Sequence, residues 1–370
     1  MPTPAPAPAP ALAAIAAAAL LLAALPTTAQ EADTTPSLTV EEYTPRSTLV
    51  VPEHPVTRAG VPVIDVHSHH WRLTPERVDS VIAAMDRLNM AALVNLSGGS
   101  GESLAEKVRL TSVYPGRIVH FANLDFDGID DPAWGQRAAA QLEEDVVVHG
   151  AAGLKIFKNL GMDVRFENGD RVPVNHPHLD PVWSKAGELG VPVLIHTAEP
   201  AEFFEPHDRL NERWLELKLH PNRARPPSEY PSWDSLMSEQ HDVFGRHRGT
   251  TFIAAHLDWM GNDLARLGRL LDEHPNIVTE VAAVVAELGR QPDFARRFFI
   301  DYQDRILFGK DTFREEEFHT YFRLFETADE YFPYFRRYHA FWRMYGLDLP
   351  DDVLRKFYSE NARRVVPALR

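Results

Sequence analysis

Two histidines one residue apart, His67 and His69, close the apolar run Val63-Ile64-Asp65-Val66, which follows a proline-rich entry. Such a run reads as a short buried strand. Side chains alternate along a strand, so residues 65, 67 and 69 are expected on one face, where two imidazoles at that spacing can bind a single metal ion. On a helix the pair would have to stand at i and i+4. Later apolar runs end in comparable residues: Lys155 after Gly153-Leu154, His196 after Leu194-Ile195, His256 after Ala254-Ala255, and Asp311 after Gly309-Lys310. Histidine and aspartate are metal-ligand types, whereas a bare lysine beside a cation is repelled and ligates only if modified. The chain has no cysteine, which removes thiolate ligands, disulfides and a cysteine nucleophile together. Any metal site must therefore use His, carboxylates or a modified lysine. The chemistry open to such a set is hydrolytic, because a bound divalent ion lowers the pKa of its water from about 15.7 to roughly 7.

These residues need a scaffold that brings distant strand ends together. Short β-rich runs alternate with helical segments from residue 62 onward, with strands predicted at 63–69, 91–96, 118–123, 153–157, 191–196, 250–256, 276–281 and 305–311. Helices are expected between them, beginning with 74–88, where Thr74 supplies a cap and Pro75 the first turn, and ending with 350–366. Two stretches break the rhythm: 200–233 after strand 5, with one helix expected around 210–219, and 313–345 after strand 8. Loops of that length in a compact domain usually cover a site. Eight strand–helix units predict an α/β fold, a (β/α)8 TIM barrel with long insertions after strands 5 and 8. An open doubly wound sheet is the competing architecture, but no glycine-rich phosphate loop follows any strand. In a barrel the strand ends share one mouth, so His67, His69, Lys155, His196, His256 and Asp311 are expected to meet there.

Asp65, Glu199, Asp258 and Glu280 are further candidates, as carboxylates that orient a ligand imidazole or line the mouth. Trp71, Trp259, Phe203 and Phe204 could wall an apolar substrate or pack the loops.

Composition narrows the partners. A formal net charge of -15 over 370 residues excludes nucleic acid, and 44% hydrophobic residues supply a large core. Residues 1–30 carry no charge, and an Ala/Leu-rich run ends in Pro-Thr-Thr-Ala-Gln, a secretory signal pattern with cleavage expected after Ala29. The run is short for a membrane span, and the segment before it lacks Lys and Arg. Export to the periplasm or medium is expected, or a cytoplasmic location if the leader does not function. Residues 30–58 read as a Pro-rich linker or an arm laid over the domain at 59–370. The aromatic stretch Tyr321 to Tyr345 could bury against a second copy in a homo-oligomer or cover its own barrel.

From Ile64 to about Val366 the chain resembles the amidohydrolase superfamily, and more closely its amidohydrolase-related branch, which also holds decarboxylases. The resemblance rests on Asp65-Val66-His67-Ser68-His69, Leu194-Ile195-His196, Ile253-Ala254-Ala255-His256, Ile306-Leu307-Phe308-Gly309-Lys310-Asp311 and Phe357-Tyr358-Ser359-Glu360-Asn361-Ala362. It implies that His67, His69 and Asp311 hold the buried metal and that His196 is a ligand. His256 would complete a second site or polarise the substrate. Lys155 would be a carbamate bridging two ions, or else a binder of a substrate carboxylate. The implied cofactor is one or two divalent ions, zinc first and manganese second. The implied activity is hydrolysis of an amide, lactone or ester of a small molecule, with Asp311 as the proton carrier. Non-oxidative decarboxylation of an aromatic or enoic acid is the alternative, and a barrel that only binds a ligand is the third reading.

Overall fold

The structure, a computed structural model, describes residues 37–339 and 341–370. The expected leader at 1–29 lies outside them. Two compact units divide the chain, Met1–Tyr43 and Thr44–Arg370. In the first, the described residues make one turn, closed by the Glu42 and Tyr43 amides on Thr39 O. All regular structure described here belongs to the second.

Eight parallel strands follow one another around a barrel: β1 Val63–Ser68, β2 Met90–Asn95, β3 in two pieces (Ile118–His120 and Ala122–Asn123), β4 Leu154–Ile156, β5 Val193–Ile195, β6 Phe252–Ala254, β7 Ile277–Glu280 and β8 Ile306–Leu307. Each pairs in parallel with the next. The ring closes between β8 and β1, where Val66 N donates to Phe308 O at 3.0 Å, Asp311 N donates to His67 O at 2.6 Å, and Ser68 bridges Asp311. A helix follows every strand: α1 Pro75–Leu88, α2 Gly101–Thr111, α3 Trp134–Val147, α4 Asp180–Leu189, α5 Trp233–Arg246, α6 Leu264–Glu273, α7 Pro292–Asp301 and α8 Glu315–Glu326. The expected eight-unit barrel is therefore present.

The pleat sorts the core into two layers. Ile64, Val66, Ala92, Val94, Leu194, Ile253, Val278 and Leu307 pack inside the barrel, while Val63, Leu93, Val193, Phe252 and Ile277 pack outward among the helices. Ala362, Val365, Val366 and Leu369 join the inner cluster. Arg364 and Arg370 also line a cavity with Thr251 and Asn276, which precede β6 and β7, so the C-terminal segment plugs the barrel floor. The mouth is left to the strand ends.

Three expectations need correction. The stretch 313–345 is not all loop, because α8 fills its first third. Phe318, Tyr321, Phe322 and Phe325 fall at helical spacing on its buried face, a signal the aromatic density obscured. The final helix is not continuous: it runs Asp351–Arg355, widens to a π turn over Lys356–Glu360, and resumes as Asn361–Val365. The stretch around 210–219 holds a helix only over Trp214–Leu219. Two contacts tie the segment before β1 to the barrel: His54 N donates to Asp329 Oδ2 at 2.7 Å, and Arg58 reaches the carbonyls at the end of α1.

Candidate metal centre

The ends of β1, β6, β7 and β8 bring ligand-type atoms within 4.8 Å of one another in two overlapping groups, His67–His69–Asp311 and His67–His256–Glu280. In the first, His67 Nε2 and His69 Nε2 stand 3.9 and 3.6 Å from Asp311 Oδ1. What readies them is the anchoring of the other ring nitrogen. Glu280 Oε1 accepts from His256 N at 2.8 Å and its second oxygen accepts from Ala282 N at 2.6 Å; burial raises this carboxyl's pKa, and in its ionised form it can only accept, so that His67 Nδ1, 2.8 Å from Oε1, donates to it. The proton therefore sits on Nδ1 and the lone pair on Nε2. His69 Nδ1 is held at 2.8 Å by Ser97 Oγ, a hydroxyl that can either accept from it or donate to it. His256 Nδ1 faces the Ala282 carbonyl at 2.7 Å, which can only accept, so His256 Nε2 also offers a lone pair. His196 Nδ1 lies 3.3 Å from that atom, and His196 Nε2 is buried with no hydrogen-bond partner among the described residues.

Burial, the largest influence on all four rings, holds them well below the usual imidazole range and therefore neutral, the form that ligates. Burial raises the Asp311 carboxyl above the usual carboxylate range. Lys155 Nζ is buried without a hydrogen-bond partner, and burial lowers its pKa to about 7. Neutral imidazoles aimed at a carboxylate, with buried nitrogen atoms left unpaired, fit a divalent cation.

Backbone strain marks the same mouth. His256, Leu257, Asp258 and Trp259 all have positive φ, at 59°, 53°, 55° and 53°, immediately after β6. Ala198 after β5, Ala283 after β7 and Asp311 after β8 also do, at 60°, 60° and 78°. Non-glycine residues enter this region at a cost that surrounding packing must overcome, and such residues concentrate at functional sites.

Not every expected residue joins the cluster. Asp65 does not share a working face with His67. Ile64 and Val66 pack inside the barrel, and the alternation breaks where the β1–β2 register shifts between Asp65 and Ser68. Asp65 instead accepts from the amides of His67 and Lys310, both at 3.0 Å, and burial raises its pKa to about 8. Asp258 is buried away from the cavity, held by His241 Nε2 at 2.6 Å and by Gln240. Glu199 does line the cavity, paired with Lys158 and Arg225. Glu280 is more central than a mouth residue, since it orders His67 and His256 at once.

Above the histidines opens a cavity of about 420 Å³ bordered by His196, His256, Trp259 and Asp311. Its outer wall comes from Glu199, just before the first insertion, and from the two insertions: Phe203, Arg213, Arg223 and Arg225 from one, Tyr334, Arg336 and Tyr338 from the other. The second insertion thus covers its own barrel. Arg213 ties the cover together, reaching Glu216 at 3.0 Å, Glu202 at 3.4 Å and also Glu287, while His339 reaches Glu216 at 3.0 Å. No motif in the sequence flagged Arg213, Glu216, His339 or Ser97.

A family model described as amidohydrolase matches residues 114–368. Members of that family bind divalent metals. No curated protein matches the chain in sequence. Among solved structures it is similar to a 2,6-dihydroxybenzoate decarboxylase complexed with 2,6-dihydroxybenzoate, at 15% identity over 83% of this chain and 99% of that one, TM-score 0.50. A 4-oxalomesaconate hydratase from Rhodopseudomonas palustris matches at 14% identity over 83% and 96%, TM-score 0.50. A 5-carboxyvanillate decarboxylase from Novosphingobium aromaticivorans, complexed with manganese and 4-hydroxy-3-methoxy-5-nitrobenzoic acid, matches at 13% identity over 83% and 96%, TM-score 0.50. These likenesses establish the barrel fold.

Proposed function

This chain belongs to the amidohydrolase family, and from that premise we propose that it is a metal-dependent hydrolase cleaving an amide, lactone or ester bond of a small organic substrate. The observation that carries the reading is the His67–His69–Asp311 cluster, in which each imidazole is anchored on Nδ1 and presents Nε2. His67, His69 and Asp311 would hold one divalent ion, zinc or manganese, and His196 with His256 would hold it or a second one. Lys155 would join them only as a carbamate. Such an ion, when bound, supplies an acidified water and a Lewis acid for the substrate oxygen.

The protein's own groups do the rest. Asp311, with a side chain 38% exposed at the cavity edge, is placed to accept a proton on its carboxylate and return it to the leaving group. His256 Nε2, its proton kept on the other nitrogen, serves as a ligand or a proton acceptor rather than a donor to the substrate. Trp259 and Phe203 supply apolar wall to the cavity.

Elemental analysis of protein purified without chelator, together with a turnover screen of amides, lactones and esters, tests the reading. Metal near one or two ions per chain with hydrolysis supports it; a metal-free chain, even after soaking in zinc or manganese, ends it. The second reading is a non-oxidative decarboxylase of an aromatic or enoic acid. It is favoured by the Lys and Arg side chains around the cavity and by the decarboxylases among the similar structures. Carbon dioxide release from carboxylated aromatics without hydrolysis of neutral substrates would select it. The uncharged leader supports export to the periplasm or medium.

A further inference from the structure

The cavity over the histidines is cationic in an acidic protein. Lys158, Arg213, Arg223, Arg225, Lys310 and Arg336 line it against three carboxylates, Glu199, Glu216 and Asp311, although the whole chain carries a net charge of -15. Several of these cations are already committed. Lys158 is held by Glu199, Arg213 by Glu216 and Glu287, and Lys310 by Glu317 at 2.6 Å.

The three outer arginines keep donors in reserve. The Arg336 guanidinium makes no hydrogen bond among the described residues; its one ion pair, to Glu317, is 3.6 Å long, and the group lies over the Phe335 ring at 5.2 Å. Arg223 commits one terminal nitrogen, shared between Glu216 and the Tyr338 hydroxyl at 3.5 Å. Arg225 uses its terminal nitrogens on Glu199, Asn222 O and Ala224 O, yet its Nε is buried with no partner. A guanidinium presents up to five donors in a planar fork that matches an oxyanion, and leaving them unpaired in a half-enclosed cavity is costly. All three stand on the insertions rather than on the barrel strands.

We propose that Arg223, Arg225 and Arg336 form a subsite for an oxyanion of the substrate, a carboxylate or a phosphate, separate from the group that reacts at the histidine cluster. The inference rests on the reading of this cavity as the substrate site and holds for either reaction considered above. A substrate with two anionic or polar ends would be gripped by the arginines at one end and presented at Asp311 by the other. Phe335 and Tyr338 support the fork by stacking under Arg336 and Arg223, with the Tyr338 ring 5.5 Å from Arg223.

Binding without turnover tests this. Benzoate, isophthalate and 3-phosphonobenzoate are titrated calorimetrically into the metal-loaded full chain. Isophthalate should bind at least about tenfold tighter than benzoate, the scale of one charge-assisted hydrogen-bonded pair. Arg336→Gln and Arg223→Gln should each erase most of that preference and leave benzoate within about twofold. Arg336→Lys, which keeps the charge and loses the fork, should fall between. Melting curves establish that each variant is folded. A tighter phosphonate names phosphate as the ligand, and a tighter isophthalate names carboxylate. Equal affinity for benzoate and isophthalate, or a preference that survives both Gln variants, overturns the subsite. Because no reaction is read, a chain inactive on every amide, lactone or ester tried would leave this result standing.

Discussion

His67 Nδ1 and Glu280 Oε1 face each other at 2.8 Å, with side chains 1% and 0% exposed, across the barrel from β1 to β7. The contact fixes which nitrogen of His67 carries its proton, and the same carboxylate receives the backbone amides of His256 and Ala282. Glu280→Gln should preserve the fold and weaken metal affinity about 10- to 100-fold, as loss of an outer partner of a ligand histidine does. Glu280→Ala should in addition lower stability by about 3 kcal/mol or more, since several buried donors lose their acceptor. Competition with a chelator reads the first effect and urea unfolding the second; equal metal affinity in Glu280→Gln would remove Glu280 from the site.

Gly309 is required by that same packing. A Cβ there would meet Glu280 Oε2 at 2.2 Å and His67 Cβ at 3.0 Å. Gly309→Ala should therefore cost about 1–3 kcal/mol of stability and reduce metal content, because overpacking displaces the pair it touches. A fully metallated variant as stable as the parent would show that the barrel accommodates the methyl.

Asp311→Asn should cut turnover by about 10² to 10⁴ with little loss of stability, since the side chain is part-exposed and the proton-carrying group is what is lost. Steady-state rates and melting curves on the same preparation separate the two effects. Retained turnover would take Asp311 out of proton transfer.

Arg213 should hold the cover. It is buried among Glu202, Glu216 and Glu287, and Arg213→Ala would strand buried carboxylates at a cost of about 3–5 kcal/mol. Limited proteolysis should then cut within 200–225 while the barrel stays intact, and protection equal to the parent would dismiss the clamp.

His120 gives a pH dependence away from the cluster. Burial, with smaller help from Lys107, lowers its pKa from 6.5 to about 3, and its ring is bonded to Thr111 Oγ1 at 2.9 Å and Asn95 Nδ2 at 3.1 Å. The unfolded chain takes up this proton more readily than the folded one. Stability is thus full above about pH 6.5 and falls by about 1.4 kcal/mol per unit as pH drops toward the folded value. His120→Gln should flatten the stability profile between pH 6 and 4 by about that slope, measured by urea unfolding across the range.

Much of this was legible in the sequence because barrel strands are short, apolar and spaced by helices, and ligand residues sit at their ends. His196 and His256 followed from their places at the ends of short apolar runs. His67 followed from the motif but not from alternation, since the irregularity between Asp65 and Ser68 breaks the period and sends Asp65 to a different partner. Asp258 was misread because four left-handed residues in succession turn it away from the mouth, and no local propensity announces such a run. Of the outer wall only the two insertions, Glu199 and Phe203 were legible: Arg213, Arg223 and Arg336 are joined to their partners only by tertiary packing between distant segments. Leucine and phenylalanine spacing could have identified α8.

The seam between β1 and β8 carries a consequence for assembly. His67 and His69 stand on one lip of it and Asp311 on the other, with 241 residues or more of chain between the lips. An ion held by those three side chains would act as a clasp on the closed ring. Its affinity would then report whether the last strand has docked, and at a free concentration 100 times its dissociation constant it would add about 2.7 kcal/mol to the closed state. Chelation should accordingly loosen the β1–β8 edge before any other, a local opening that amide hydrogen exchange at Val66 and Asp311 would register first.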